Sequence, residues 1–150
     1  MELADFVTPA TVVIGLRAPD KPKLLDEIAR RAATALGLRP AAILEPLLAR
    51  EALGSTGVGR GIAIPHARIA GLSRLFGLLA RLDRPIDFMA IDDQPVDLVC
   101  LLLTPAGAAA QHLPALACLS RRLREKAVAD RLRAARDGAA LHAALTGGPN

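Results

Sequence analysis

The chain has 150 residues, of which 52% are hydrophobic and 23% charged, and its formal net charge is +4. This length and composition predict a single compact domain over residues 1–150 and argue against a disordered chain. No apolar run approaches a membrane span and no secretory signal is visible, so we expect a cytoplasmic protein without membrane insertion. The sequence has 3 Phe and no Trp or Tyr, so stacking on nucleic-acid bases has almost nothing to work with, and we expect no nucleic-acid partner.

The first half of the sequence predicts one strand followed by two helices. Residues 11–14 are β-branched and mostly apolar, which is typical of a strand. Apolar residues then recur at helical spacing over 24–36, and Gly37 is placed to end that helix. A second helix is predicted over 40–53, because Pro40 suits a first helical turn.

A glycine-rich segment follows, from Arg50 to His66, and it reads Arg-Glu-Ala-Leu-Gly-Ser-Thr-Gly-Val-Gly-Arg-Gly-Ile-Ala-Ile-Pro-His. Its glycines predict a loop whose exposed backbone N–H groups let an oxyanion approach closely. Residues 62–64 predict a short strand, and Pro65 is expected to stop it. This order places His66 at a strand end, where we expect it to be exposed and oriented.

The second half predicts two more strands, at 75–82 and 96–103. The short link between them leaves little room for a crossover helix, so we expect an antiparallel pair. The near-continuous apolarity of 96–103 indicates a central strand covered on both faces. Three helices are predicted after these strands, at 111–124, 126–136 and 137–145, and a frayed tail follows at 147–150. Strands separated by helices indicate an α/β fold.

The order of helix, glycine loop and strand excludes two common nucleotide motifs. A P-loop requires Gly-Lys-Ser/Thr leading into a helix, and a dinucleotide fingerprint requires a strand before its glycines. The segment suits a phosphoryl group carried on His66 instead, because a neutral imidazole nitrogen is a good nucleophile near neutral pH. Arg50 offers a fixed charge and a planar fork for the phosphoryl oxygens. Pro46, one turn earlier, can alter the direction in which Arg50 points.

The string from Arg50 to His66 resembles the phosphorylation site of the enzyme IIA domains of the fructose/mannitol class, which belong to the bacterial phosphoenolpyruvate-dependent phosphotransferase system. It is most similar to the nitrogen-regulatory branch of that class, and the similarity extends over about 12–145. This resemblance implies a three-layer α/β/α sandwich in which a mixed β-sheet is flanked by helices. The predicted order of strands and helices fits such a fold.

The resemblance also implies roles for individual residues. His66 would accept a phosphoryl group on Nε2, as a tele-phosphohistidine, from the phosphohistidine of an HPr-type carrier protein. Arg50 matches the active-site arginine of the family, and His112 matches its second active-site histidine. We expect His112 to bind the phosphoryl group or to set the tautomer of His66, with a purely structural histidine as the alternative. We expect no metal and no other cofactor, because the receiving nitrogen is already a competent nucleophile.

Three loop residues, Ser55, Thr56 and Gly57, are candidates for phosphate binding. Their polar groups can donate to phosphate oxygens, but the hydroxyls can equally serve to shape the loop. Nearby apolar side chains are expected to provide the surface that a partner protein contacts: Ile64, Ala67 and Ile69.

Other polar residues have ordinary structural interpretations. His142 lies on a late helix, and we expect it at the surface. Cys100 and Cys118 lie in apolar surroundings, which is typical of buried free thiols. Basic residues late in the chain predict a solvated helical face, with an acidic protein partner as the alternative: Arg121, Arg122, Arg124, Lys126, Arg131, Arg133 and Arg136.

The leading hypothesis is a phosphocarrier of the nitrogen-related phosphotransferase system, a transferase component that regulates target proteins such as sensor kinases or transporters according to its phosphorylation state. The alternative is a sugar-specific enzyme IIA that passes phosphate to a separate IIB subunit. A metal-dependent hydrolase using His66 and His112 would lack a carboxylate or thiol cluster at ligand spacing. An interaction module that has lost phosphotransfer is the remaining possibility.

Overall fold

A computed structural model describes residues 1–147, and the rest of the predicted tail, 148–150, lies outside the described residues. The strands are β1 (Val12–Leu16), β2 (Gly57–Gly59), β3 (Ile62–Ala63), β4 (His66–Ile69), β5 (Phe76–Ile86) and β6 (Val96–Pro105). The α-helices are α1 (Lys21–Leu36), α2 (Pro40–Ala52), α3 (Ala109–Arg124), α4 (Lys126–Ala134) and α5 (Gly138–Thr146). Two short 3-10 turns, Leu3–Asp5 and Pro9–Thr11, precede β1.

The strands form one mixed sheet with β6 near its centre. The order is β1-β5-β6-β3-β2, and β4 also pairs with β6. Strand β6 is antiparallel to β5 and parallel to β3 and β4, so the predicted antiparallel pair and the predicted central strand are both confirmed. Because β3 and β4 lie along the same edge of β6, they act as one strand that is interrupted at Pro65.

Helices cover both faces of this sheet. Helices α1 and α2 pack on one face, and α3, α4 and α5 pack on the other together with the N-terminal segment. Side chains of β6 alternate between the two cores, because successive residues of a strand point to opposite faces: Val99, Leu101 and Leu103 on the α1 side, Leu98, Cys100 and Leu102 on the α3 side. The α/β/α sandwich expected from the sequence is confirmed.

Both ends of α1 are capped, and its end at Gly37 is as predicted. The Asp20 side chain accepts a hydrogen bond from the Lys23 backbone N–H at 2.9 Å, which satisfies one of the free donors at the start of the helix. Gly37 ends the helix with φ of 68°, a left-handed conformation that glycine adopts without steric cost. Helix α2 continues through Pro46, which therefore does not break it.

Several predicted boundaries were wrong. Strand β1 runs through Gly15, which lies at a register shift, and continues to Leu16. Strand β5 extends beyond the predicted end at Leu82 and reaches Ile86, where pairing with β6 resumes after an irregularity. Helix α3 begins at Ala109, before the predicted start at 111, and Pro114 lies within it.

Strand β4 was not predicted, because Pro65 was expected to end the strand before it. Proline lacks only the backbone donor, and the Pro65 carbonyl still accepts the Leu102 N–H at 2.9 Å. Pairing along β6 therefore resumes at once with His66 opposite Leu102. The consequence is that His66 begins strand β4 and does not lie in a loop after β3.

Part of the late basic cluster is structural and not simply solvated. Arg122 donates to the Leu145 and Ala144 carbonyls at the end of α5, at 2.8 and 3.1 Å. Arg133 pairs with Asp97 at 2.9 Å and ties α4 to the start of β6. The other basic residues of the cluster are exposed, as expected for a solvated face.

The two cysteines are free, as predicted, but only one is fully buried. Burial raises the pKa of the Cys100 thiol to about 12, so it remains protonated in the core. Cys118 is half-buried. Within residues 1–147, every helix is too short or too polar to cross a bilayer.

Candidate functional site

His66 is held by a short hydrogen bond to the backbone of Ile64, which lies at the interruption between β3 and β4. Its Nδ1 atom lies 2.8 Å from the Ile64 carbonyl oxygen. A carbonyl oxygen can only accept, so Nδ1 carries the hydrogen and Nε2 is the unprotonated nitrogen of the neutral ring. The expectation of an exposed histidine was wrong, since only 9% of the residue is accessible.

His112 lies in the first turns of α3, directly beside His66. The centroids of the two imidazole rings are 5.4 Å apart, and the ring planes are tilted by 50°. The His112 Nδ1 atom lies 2.7 Å from the hydroxyl of Thr104, which is fully buried on β6. His112 is itself 8% exposed, so both histidines are largely covered.

Burial is the main electrostatic influence on His66, and it lowers the pKa of the imidazole below its ordinary value. The hydrogen bond to Ile64 acts in the opposite direction, because an acceptor at Nδ1 stabilises the positive ring. The Arg50 guanidinium then lowers the pKa, and the Glu51 carboxylate raises it. The net effect is that His66 stays neutral, with Nε2 available as a nucleophile, to a lower pH than a free histidine.

The pKa of His112 is also lowered, first by burial and then by the positive charges of His66, Arg68 and Arg50. Arg68 is two residues after His66 on β4 and pairs with Thr104 on β6. Residues two apart on a strand share a face, so Arg68 lies on the same face of the sheet as His66. The sequence argument missed Arg68, although this period of two could have indicated it.

Arg50 lies in the last turn of α2, as predicted, and its guanidinium is directed at the glycine-rich loop. Its Nη1 atom donates to the Gly54 carbonyl at 2.9 Å. This single bond leaves most of the five guanidinium donors free for another acceptor. Helix α2 thus brings a positive charge to the histidine pair even with Pro46 in its interior.

The three predicted phosphate-binding residues already make hydrogen bonds within the protein. The Ser55 hydroxyl donates to the Phe88 carbonyl at 3.1 Å and accepts from the Gly57 N–H at 3.1 Å. The Thr56 hydroxyl donates to the Glu51 carboxylate. Gly57 has no space for a side chain, because a Cβ there would lie 2.8 Å from the Ala90 backbone.

Two further residues that the sequence argument missed support this loop. The Glu51 side chain is only 6% exposed, and its Oε2 atom lies 2.7 Å from Lys21 Nζ. The same carboxylate accepts from the Thr56 backbone N–H at 3.2 Å. An acidic residue directly after Arg50, in a helix that packs on the core, was the signal in the sequence that could have indicated this role.

The predicted apolar partner surface was wrong. Ile64, Ala67 and Ile69 are 2, 6 and 0% exposed, because they pack into the two cores. Large apolar side chains that reach solvent close in sequence to site residues include Leu53, Val58 and Leu113, which are 85, 42 and 70% exposed.

His142 differs in part from its prediction. It is half-buried, and its Nε2 atom lies 2.7 Å from the Val7 carbonyl oxygen. This contact joins α5 to the N-terminal segment. His142 takes no part in the pair formed by the other two histidines.

A comparison with protein families matches residues 5–147 to the EIIA 2 family of the phosphoenolpyruvate-dependent sugar phosphotransferase system. The chain belongs to this family. The EIIA 2 chain is 49% identical to a nitrogen regulatory protein from Bradyrhizobium diazoefficiens over 145 residues, which cover 97% of the chain and 95% of the relative. It is 42% identical to the nitrogen regulatory protein of Escherichia coli K12 over 127 residues, which cover 84% of the chain and 78% of the relative.

Solved structures agree with this EIIA 2 assignment. The crystal structure of nitrogen regulatory protein IIA-Ntr from Neisseria meningitidis matches with a TM-score of 0.90 at 33% identity, covering 96% of this chain and 99% of that one. The mannitol IIA of Escherichia coli matches with a TM-score of 0.77 at 18% identity, covering 93% of this chain and 98% of that one, and it shares the fold. The kinship supports a phosphocarrier of the phosphotransferase-system type.

Proposed function

We propose that the protein is a phosphocarrier that accepts a phosphoryl group on Nε2 of His66 from the phosphohistidine of an HPr-type carrier. The observation that carries this proposal is the 2.8 Å contact between His66 Nδ1 and the Ile64 carbonyl oxygen. It leaves the lone pair of the neutral ring on Nε2, so no separate base is needed to activate the nucleophile.

The transfer exchanges one phosphorus–nitrogen bond for another. The Nε2 lone pair forms the new bond, and the donor nitrogen keeps the electron pair of the bond that breaks. His66 gains positive character in this step, and the Ile64 carbonyl, bonded to the Nδ1 hydrogen, stabilises it. Because little covalent chemistry is left to the protein, its contribution is to position the rings in line and to stabilise charge.

His112 and Arg50 are the groups that we propose to bind the phosphoryl oxygens. When the buried Thr104 hydroxyl donates to His112 Nδ1, the hydrogen of the neutral ring lies on Nε2, which can donate to an oxygen near His66. The guanidinium of Arg50 can add a bidentate contact by exchanging its bond to the Gly54 carbonyl for the phosphoryl group. Two positive or hydrogen-donating groups would then share the moving charge.

We propose that Ser55, Thr56 and Gly57 act on phosphate binding mainly through the shape of the loop. Both hydroxyls already donate to acceptors of the protein, Ser55 to Phe88 and Thr56 to Glu51. These bonds support the loop-shaping alternative over direct donation. Direct contact from the Ser55 or Thr56 hydroxyl would require it to leave its present acceptor.

We further propose a regulatory role in which the phosphorylated and unphosphorylated forms bind target proteins differently. The relatives reported above are named nitrogen regulatory proteins, which favours regulation over sugar uptake. A dianionic phosphoryl group on His66 changes the charge beside His112 and Arg50, and so changes the surface that a target protein meets at the site. Sensor kinases or transporters that contact this surface would sense that change.

Phosphotransfer in a reconstituted system tests the proposal. The purified chain is incubated with phosphoenolpyruvate, enzyme I and an HPr-type carrier, and acid-labile phosphate is measured by mass spectrometry of the intact protein. The His66→Ala variant is treated in the same way as a control. We expect the wild type to gain one phosphoryl group and the variant none. A folded wild type that accepts no phosphoryl group refutes the proposal, and onward transfer to a sugar-specific IIB subunit would favour the sugar-specific alternative.

A further inference from the structure

We propose that Glu51 is a positioning residue for phosphotransfer, because its carboxylate fixes Thr56 and, through the backbone of Ile64, holds His66 with Nε2 as its free nitrogen. This inference rests on the proposed function for its catalytic consequence. Among residues 1–147, no hydrogen bond joins Glu51 to His66. Its effect passes through a continuous series of hydrogen bonds.

The first step of the series is the environment of the carboxylate. The Glu51 side chain is 6% exposed, and a charge that is nearly removed from water is costly unless donors surround it. Three donors meet it: Lys21 Nζ at 2.7 Å, the Thr56 N–H at 3.2 Å and the Thr56 hydroxyl. With the N–H and the hydroxyl of Thr56 both directed to one carboxylate, that residue has little freedom to move.

The second step links Thr56 to the histidine. The Thr56 carbonyl accepts the Ile64 N–H at 3.0 Å, and the Ile64 carbonyl accepts the His66 Nδ1–H at 2.8 Å. One residue, Ile64, therefore receives its position from Thr56 and transmits it to the imidazole. Thr56 and Ile64 are 4% and 2% exposed, so protein atoms rather than water surround these links.

The third step anchors the carboxylate from the opposite side. Lys21 is the first residue of α1, and its Nζ atom lies 4.5 Å from the centroid of the Phe88 ring as well as against Glu51. The Phe88 carbonyl in turn accepts the Ser55 hydroxyl at 3.1 Å. Glu51, near the end of α2, therefore contacts both Lys21 at the start of α1 and Thr56 in the glycine-rich loop.

The charge of Glu51 adds to its geometric effect. A carboxylate near His66 raises the pKa of the imidazole, in opposition to burial and to Arg50. It therefore favours the positive character that the ring acquires when Nε2 forms its bond to phosphorus. Removal of the carboxylate would affect both the orientation of the ring and the stabilisation of that charge.

The test compares Glu51→Gln with Glu45→Gln. Glutamine has the size of glutamate but places an amide where one carboxylate oxygen meets its donors, and it leaves Lys21 without its opposite charge. Glu45 lies on the same helix and is exposed, so its variant controls for the chemical change alone. A second pair of variants tests the Thr56 hydroxyl alone: Thr56→Val removes it, and Thr56→Ser keeps it.

Two readouts separate positioning from general damage to the fold. The ¹⁵N chemical shifts of the His66 ring report the fraction of each tautomer and need no phosphoryl donor. We expect Glu51→Gln to raise the fraction with hydrogen on Nε2 and to slow single-turnover transfer by roughly 10- to 100-fold. Thr56→Val should change both readouts in the same direction and by less, while Glu45→Gln and Thr56→Ser should leave them at wild-type values.

The inference is overturned if folded Glu51→Gln and Thr56→Val keep the wild-type ring shifts and transfer rate. It is also overturned if transfer slows while the tautomer stays unchanged, because the effect would then not pass through Ile64. A wild type that accepts no phosphoryl group would refute the proposed function instead. The ring shifts would still decide whether Glu51 controls the His66 tautomer.

Discussion

The Thr104 hydroxyl and the His112 Nδ1 atom are 2.7 Å apart, and this contact fixes one ring of the histidine pair to the central strand. Thr104 is fully buried at the end of β6, and His112 is near the start of α3. The contact gives His112 a defined orientation 5.4 Å from His66, measured between ring centroids. It also distinguishes two roles that the sequence left open for His112, which mutation can now separate.

His112→Ala should slow phosphotransfer to His66 by about 100-fold if the ring donates to the phosphoryl group, the usual effect of removing one such donor. Thr104→Val should have a smaller effect, because it retains the ring and removes only the group that orients it. Single-turnover rates measure both, with Thr104→Ser as the control that keeps the hydroxyl. Equal rates for wild type and folded His112→Ala would leave His112 with a structural role alone.

Arg50→Lys should reduce transfer almost as strongly as Arg50→Ala, by roughly 10-fold or more, because lysine keeps the charge but lacks the planar fork. Lysine would also lose the geometry of the bond to the Gly54 carbonyl. Arg39→Ala, at the exposed N-terminal side of α2, is the matched control and should transfer at the wild-type rate. Full activity of Arg50→Lys would mean that charge, and not the fork, is what the site requires.

Stability should fall as pH decreases below 6.5, the ordinary pKa of histidine. Burial lowers the pKa values of His66 and His112 in the folded protein, so between these lowered values and 6.5 the unfolded chain binds more protons than the folded one. The stability from the two neutral rings is therefore complete above 6.5 and is lost as pH falls toward the folded values. Urea unfolding at several pH values measures this loss.

The matched comparison for this pH effect is a variant in which both rings are replaced, His66→Gln with His112→Gln. Its stability should decrease less than that of the wild type between pH 7.5 and pH 5, a range of about 2.5 units that spans the ordinary pKa of histidine. NMR titration of the wild type should give midpoints below 6.5 for both rings. A wild-type stability that rises on acidification through this range would contradict the burial argument.

Arg122→Ala should lower the free energy of unfolding by about 1–3 kcal/mol, because two carbonyls at the end of α5 lose a charged donor. Arg121→Ala removes the same charge from the neighbouring, exposed position and should change stability by no more than about 0.5 kcal/mol. Thermal or urea unfolding of both variants provides the measurement. Equal effects would mean that Arg122 contributes only its charge.

The sequence predicted the fold well where patterns are local. Helix α1 was indicated by apolar residues at helical spacing and by Gly37 at its end, and the apolar run of 96–103 indicated the centre of the sheet. Strand β4 could not be predicted in the same way. Its existence depends on pairing with a distant strand, through the Pro65 carbonyl and the Leu102 N–H, which no local pattern records.

For the site, sequence reasoning singled out the reactive groups but not their supports. His66, His112 and Arg50 were named, and the structure brings both rings together with the arginine directed at the adjoining loop. Glu51 was missed because its buried side chain acts on the loop across a turn. Arg68 was missed because its place on the same face as His66 follows from strand register. The burial of the apolar residues around His66 could likewise not be predicted, because it depends on how the two cores pack.

The most direct test of the central claim is to identify the phosphorylated nitrogen. Protein labelled with ¹⁵N is phosphorylated from phosphoenolpyruvate through enzyme I and an HPr-type carrier, and long-range ¹H–¹⁵N correlations of the histidine rings are recorded. We expect the phosphoryl group on Nε2 of His66, with the hydrogen retained on Nδ1 toward the Ile64 carbonyl. Phosphorylation at Nδ1 of His66, or on His112 or His142 in its place, would contradict the account.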